Sequence, residues 1–132
     1  MRATLSSQEA GFAARLKWAL LPNEAMADEA LLVFSTFPDV ATARRIGRQL
    51  VEERCAACAN LLPPVESIYW WEGKVESANE TLVLFKTSAD RYNALETTLC
   101  QLHPYEVPEI ISFRVEQGLP EYLHWVLASS TA

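Results

Sequence analysis

An α+β sandwich with elements in the order β-α-β-β-α-β, extended by one short C-terminal helix, is the fold this sequence predicts. Three observations predict it. Short apolar runs rich in β-branched and aromatic residues alternate with stretches whose apolar residues recur at three and four. Prolines mark the boundaries, at Pro38, Pro63-Pro64, Pro104 and Pro120. At 132 residues, 50% hydrophobic and 21% charged, the chain is one domain with enough apolar residues for a modest core.

The elements follow in order. ALLVFSTF (30–37) reads as a buried strand. Asp39 after Pro38 is a good N-cap. Ala43, Ile46, Gly47, Leu50 and Val51 then form one face of a helix over about 40–54, with Arg44, Arg45, Arg48 and Glu52 on the other. CAACANLL (55–62) is a second apolar run, broken by Pro63-Pro64, a pair that suits a bend or bulge at a sheet margin. VESIYWW (65–71) resumes as a strand, Glu72-Gly73-Lys74 turns the chain, and TLVLFKT (81–87) is the next strand. Thr87-Ser88-Ala89-Asp90 has capping-box spacing ahead of a helix over about 89–102, marked by Leu95, Leu99 and Leu102 and stopped by Pro104. EIISFRV (109–115) is the last strand. Pro120 opens a short helix with Tyr122, Leu123, Val126 and Leu127. This is the ferredoxin-like split βαβ arrangement, two helices on one face of an antiparallel sheet.

Residues 1–27 stand apart as an N-terminal extension ahead of a domain over 28–132. Phe12, Leu16, Ala19 and Leu20 behind Ser6 and Ser7 fit a short helix over 6–20, and a poorly ordered extension fits equally; Met26 offers an alternative start. The extension is slightly basic, while the rest of the chain is acidic and brings the net charge to −6. Acidity argues against a nucleic-acid partner. No apolar run reaches the roughly 20 residues of a membrane helix, and Glu9 spoils a secretory leader, so the expected location is cytoplasmic and no membrane partner is expected. Three cysteines, an odd number, fit reduced thiols.

Function is harder to read. Tyr69, Trp70, Trp71, Tyr122 and Trp125 are more large aromatics than a small monomer should expose, which predicts self-association through the sheet; packing within one chain is the alternative. Cys55-Ala-Ala-Cys58 has the form of a redox or zinc motif, but it follows a helix instead of preceding one, and further thiol ligands are scarce. No nucleophile-base set and no glycine-rich phosphate loop is visible, so no enzyme is expected. HPYEVPE (103–109) has two readings. His103 and Glu109 could converge on a metal ion across a stiff, proline-bounded connection. More simply, Pro104 ends the helix, Pro108 extends Val107 and Tyr105 packs. The residues alone favour the simpler reading.

EERCAACANLLP, SIYWWEGKVE, LFKTSADR, HPYEVPEII and PEYLHWV, in this order, resemble the CutA family of divalent-cation tolerance proteins. The resemblance runs from about residue 30 to about 129. It implies a ferredoxin-like protomer in a tight homotrimer, cytoplasmic, with no established reaction and a link to copper tolerance. Cu(II) or another divalent cation is the ion implied. The family's architecture is also similar to that of the PII signalling trimers, which bind small ligands between subunits. On that alternative, Trp71, Lys74, Lys86 and Arg91 are the candidate cleft residues. The copper site proposed for the family has a cysteine after the first strand, a histidine just before His-Pro-Tyr and the glutamate of Pro-Glu. Here those positions hold Ser35, Leu102 and Glu109, with His103 one residue along. In the last helix, Leu119 stands where relatives carry a polar cap.

Overall fold

The computed structural model describes residues 29–132. The extension 1–27, the helix expected over 6–20 and Met26 lie outside the described residues. The strands are β1 (Ala30–Phe37), β2 (Cys58–Leu61), β3 (Val65–Trp71), β4 (Lys74–Ser88) and β5 (Ile111–Arg114). The helices are α1 (Val40–Glu52), α2 (Tyr92–Leu102) and α3 (Pro120–Ser129). The sheet runs β2-β4-β1-β5, all antiparallel, with β3 pairing the outer half of β4. This is the ferredoxin-like topology that the element order predicts.

The core lies between the sheet and two helices. Val33, Phe37, Val83 and Phe85 meet Ala43, Ile46 and Leu50 of α1 and Leu95 and Leu99 of α2, all fully buried. Period-2 alternation along β1 and β4 sends these residues inward. It sends Leu32, Phe34, Leu82, Leu84 and Lys86 to the opposite face. That face is only partly covered, by α3, whose Val126 is buried. On the uncovered part Phe113 meets Phe34 edge-on at 5.3 Å between ring centres and stays half exposed.

Pro63-Pro64 forms the predicted bulge. Between the pairs Leu61↔Val83 and Val65↔Glu80, one strand advances four residues and the other three. The extra residue flips the face that the strand presents. Strand β4 continues straight past this point, so it is fifteen residues long instead of the seven expected. Its outer half and β3 make a two-stranded arm. At the tip, Glu72 (φ 49°) and Gly73 (φ 78°) both adopt positive φ, the requirement of a two-residue type I′ turn.

Three local expectations shift. The run 55–62 becomes strand over Cys58–Leu61, flanked by Ala57 N and Leu62 N donating to Lys86 O and Leu82 O, because Cys55 and Ala56 belong to the end of α1. The capping box does not form: buried Thr87 donates its hydroxyl to Cys55 O at 2.7 Å, and α2 starts through a 3-10 turn over Ala89–Arg91. The last strand covers Ile111–Arg114, not 109–115, since Pro108 has no N–H and pairing with β1 begins at Phe34↔Ile111. Leu119 sits at the N-cap of α3 without a side-chain hydrogen bond, as the sequence suggests.

Helix α1 starts with Asp39 accepting from Thr42 N at 2.7 Å. It ends in a Schellman motif. Arg54 N donates to Val51 O at 3.0 Å and Cys55 N to Leu50 O at 2.9 Å. The left-handed position, Arg54 at φ 60°, is one that glycine fills without steric cost. Arg54→Gly is expected to stabilise the chain by about 1 kcal/mol. A rise in the urea midpoint at constant slope checks this.

Candidate functional site

HPYEVPE follows directly from α2. Helix α2 ends at Leu102, and His103 is its C-cap in extended geometry, as a residue before proline must be. That turn points the imidazole inward. The ring stacks on Phe37 at 4.6 Å and 19° and is only 7% exposed. Nε2 lies 2.8 Å from Thr36 O, a carbonyl, so Nε2 carries the proton and donates. Nδ1 then accepts from Tyr105 N at 3.1 Å. Both ring nitrogens are engaged, and the neutral tautomer is the one this cage fits. Burial pushes its pKa below the usual histidine range, against smaller opposing effects of the Thr36 contact and the Glu80 charge. Tyr105 in turn donates its hydroxyl to Glu80 Oε2 at 2.7 Å, at the root of the β3–β4 arm.

Glu109 is exposed on the approach to β5. Among the described residues no three His, Cys, Asp or Glu side chains gather as a metal cluster. Ser35 is fully buried on the helix side of the sheet, and its hydroxyl has no hydrogen-bond partner among the described residues. The lone thiol-sized position of the resemblance is thus part of the core. Cys55 and Cys58 also separate: Cys55 Sγ approaches Thr98 of α2 at 4.0 Å, while Cys58 stands opposite Lys86 on the far face of the sheet and contacts Asn60 at 3.5 Å. Burial raises the Cys58 pKa against the smaller pull of Lys86, so it stays a thiol.

The four cleft candidates fall into two groups. Trp71 and Lys74 face each other at the arm's tip, both exposed. Lys86 lies at the other end of β4, twelve residues along, and a straight strand puts about 40 Å between the ends. Its Nζ is 3.1 Å from the Tyr122 hydroxyl of α3. Arg91 lies at that same end and donates Nε to Arg54 O at 3.0 Å. Tyr122 and the Tyr105–Glu80 bond were not singled out by sequence reasoning. Tyr122 carried a signal only as one of many aromatics, and nothing in sequence couples residues 80 and 105.

The His103 cage predicts a pH dependence. Its folded pKa lies below the unfolded value of about 6.5. Above that pH the cage contributes fully. As pH falls through 6.5 toward the lower folded pKa, the unfolded chain takes up the proton first and stability is lost. Urea midpoints should fall between pH 7.5 and 5.5, and His103→Gln should flatten that slope while lowering the midpoint at pH 7.5.

The family model described as CutA1 divalent ion tolerance protein matches residues 31–129. A CutA protein of Mus musculus is 48% identical over 93 residues; the match takes in 70% of this chain and 52% of that protein, so the chain spans about half of this longer relative. The divalent-cation tolerance protein CutA of Yersinia pestis (strain Pestoides F) is 42% identical over 108 residues, 82% of this chain and 91% of that one. Among solved structures, CutA of Xylella fastidiosa superposes with TM-score 0.76 at 48% identity, covering 78% of this chain and 99% of that one. The Archaeoglobus fulgidus structure, titled a periplasmic divalent cation tolerance protein CutA, gives 0.75 at 32%, covering 77% and 99%. Matched over residues 31–129, this chain belongs to the CutA1 family of divalent ion tolerance proteins.

Proposed function

We propose that this chain serves divalent-cation tolerance as a non-enzymatic, cytoplasmic homotrimer that responds to Cu(II) or another divalent cation. The family match over residues 31–129 carries the tolerance reading. Assembly is supported by the arm. Ile68 is 68% exposed, Trp70 73% and Val75 59%, and by register all three share one face of a two-stranded ribbon. An isolated ribbon of this kind is marginal in water, and a second copy is the cover that suits an apolar stripe repeated on every chain.

His103 and Glu109 enter this reading as the metal-ligand proposal, at a cost. Nδ1 must release Tyr105 N–H before its lone pair reaches an ion. Binding there is therefore coupled to opening of the loop and is weak. Glu109 needs no such release. The second reading is a PII-like module that takes a small ligand between subunits. The separation of Trp71 and Lys74 from Lys86 and Arg91 favours it only in an assembly, where the tip of one arm reaches another chain.

Native mass spectrometry on chelator-stripped protein, then with Cu(II) and Zn(II), tests both parts. The expected result is a trimer that takes up a discrete number of ions, with uptake reduced in Glu109→Gln and lost as pH falls toward the lowered pKa of His103. A trimer that stays bare would sink the metal reading, and a monomer would sink the assembly. Trp70→Ser is expected to weaken assembly by about 2–4 kcal/mol per subunit, read as a shift of the dissociation curve.

A further inference from the structure

Lys86 is a half-buried cation with no ion-pair partner among the described residues. It stands on the α3 side of the sheet between Cys58 and Leu32, by register. Its ammonium has three donors, and its hydrogen-bond partner among the described residues is the neutral Tyr122 hydroxyl at 3.1 Å, with the Tyr122 ring centre at 5.3 Å. Two further cations gather at this end of β4. Arg91 donates to Arg54 O, and Arg54 reaches Ser129 O at the end of α3 at 3.4 Å. The ion pairs between described residues are Arg48–Glu52 and Arg114–Glu29, so none of these three cations is matched by a described carboxylate.

Among the described residues, Tyr122 and Asn60 both have donors left over. Tyr122 accepts from Lys86 and so has its own O–H left to give. Asn60 Oδ1 faces the Cys58 thiol, which leaves its NH2 as donor. Trp125 packs against Tyr122 at 5.6 Å and 35°, a half-buried aromatic wall, with Leu32 and Leu84 on the sheet below. Donors and one cation against an apolar wall fit an acceptor-rich anion with a flat apolar body.

We propose that Lys86, Tyr122 and Asn60, walled by Trp125, form a binding site for a small aromatic or similarly planar carboxylate. The carboxylate would take the free Lys86 donors and the Tyr122 O–H, and its body would lie along Trp125. This deepens the small-ligand reading above and rests on it.

The test is calorimetric titration of the full chain with benzoate, beside benzamide as a neutral molecule of the same shape and ATP as an unrelated anion. Benzoate is expected to saturate one site per chain and benzamide to bind at least about tenfold more weakly. Lys86→Met, which keeps the stem, should weaken benzoate by about ten- to hundredfold, and Tyr122→Phe by less. Light scattering on each variant controls for altered assembly, and Tyr122→Phe decides the matter should Lys86→Met disturb it. Benzoate binding unchanged in both variants, or matched by benzamide, overturns this site. ATP binding without benzoate binding overturns the site and leaves the small-ligand reading standing. No saturable binding of any of the three overturns both.

Discussion

Everything in this fold hangs on β4 having two different partners along one edge. Its inner half pairs with β2 and β1 and lies in the buried sheet. Its outer half pairs with β3 alone. The backbone groups that β3 and β4 turn toward each other are satisfied, because the ladder resumes after the Pro63-Pro64 bulge. The side chains are not. A ribbon with Ile68, Trp70 and Val75 in water has one ladder of hydrogen bonds but almost none of the hydrophobic burial that makes strands stable. One continuous strand therefore ties the buried core to an exposed apolar segment, and bending of the arm is resisted by fifteen residues of unbroken extension.

The loop 103–110 braces the junction between those two halves. His103 hangs from the carbonyl of Thr36 at the end of β1, accepts Tyr105 N–H, and so fixes where Tyr105 leaves the backbone. Tyr105 reaches Glu80, which pairs with Val65 at the first step of the arm. The stretch that looked like a metal motif is in the first place a clamp. Its imidazole is chosen for having one donor and one acceptor on opposite sides of a flat ring that also stacks on Phe37. A side chain with both nitrogens occupied binds an ion only by giving up part of that clamp, so any metal response at this place is also a structural response of the arm.

Most of the fold was legible in the sequence. Periodicity located both core helices and β1, and the Pro pair announced the bulge, because these signals depend only on residues near in the chain. The length of β4 was not legible: ESANE carries no strand pattern, and it is extended because VESIYWW pairs with it across a tight turn. The failed capping box has the same origin. Thr87 has a better partner in Cys55 O, thirty-two residues away, and tertiary context outbids local spacing. At the site, HPYEVPE was visible as a unit, and its two readings could be told apart only once Thr36 O was in place. Tyr122 was one aromatic among several until α3 laid it over Lys86.

The candidate residues divide in a way that constrains how the molecule can act. Trp71 and Lys74 lie at one end of β4; Lys86 and Arg91 lie at the other, about 40 Å away along a straight strand. No motion of a single sheet brings such ends together without breaking the ladder between them. Their cooperation requires the arm of one copy to lie against the body of another. An assembly of this kind places every shared site at a boundary between subunits. A ligand bound there reads the state of assembly as much as the state of any one chain.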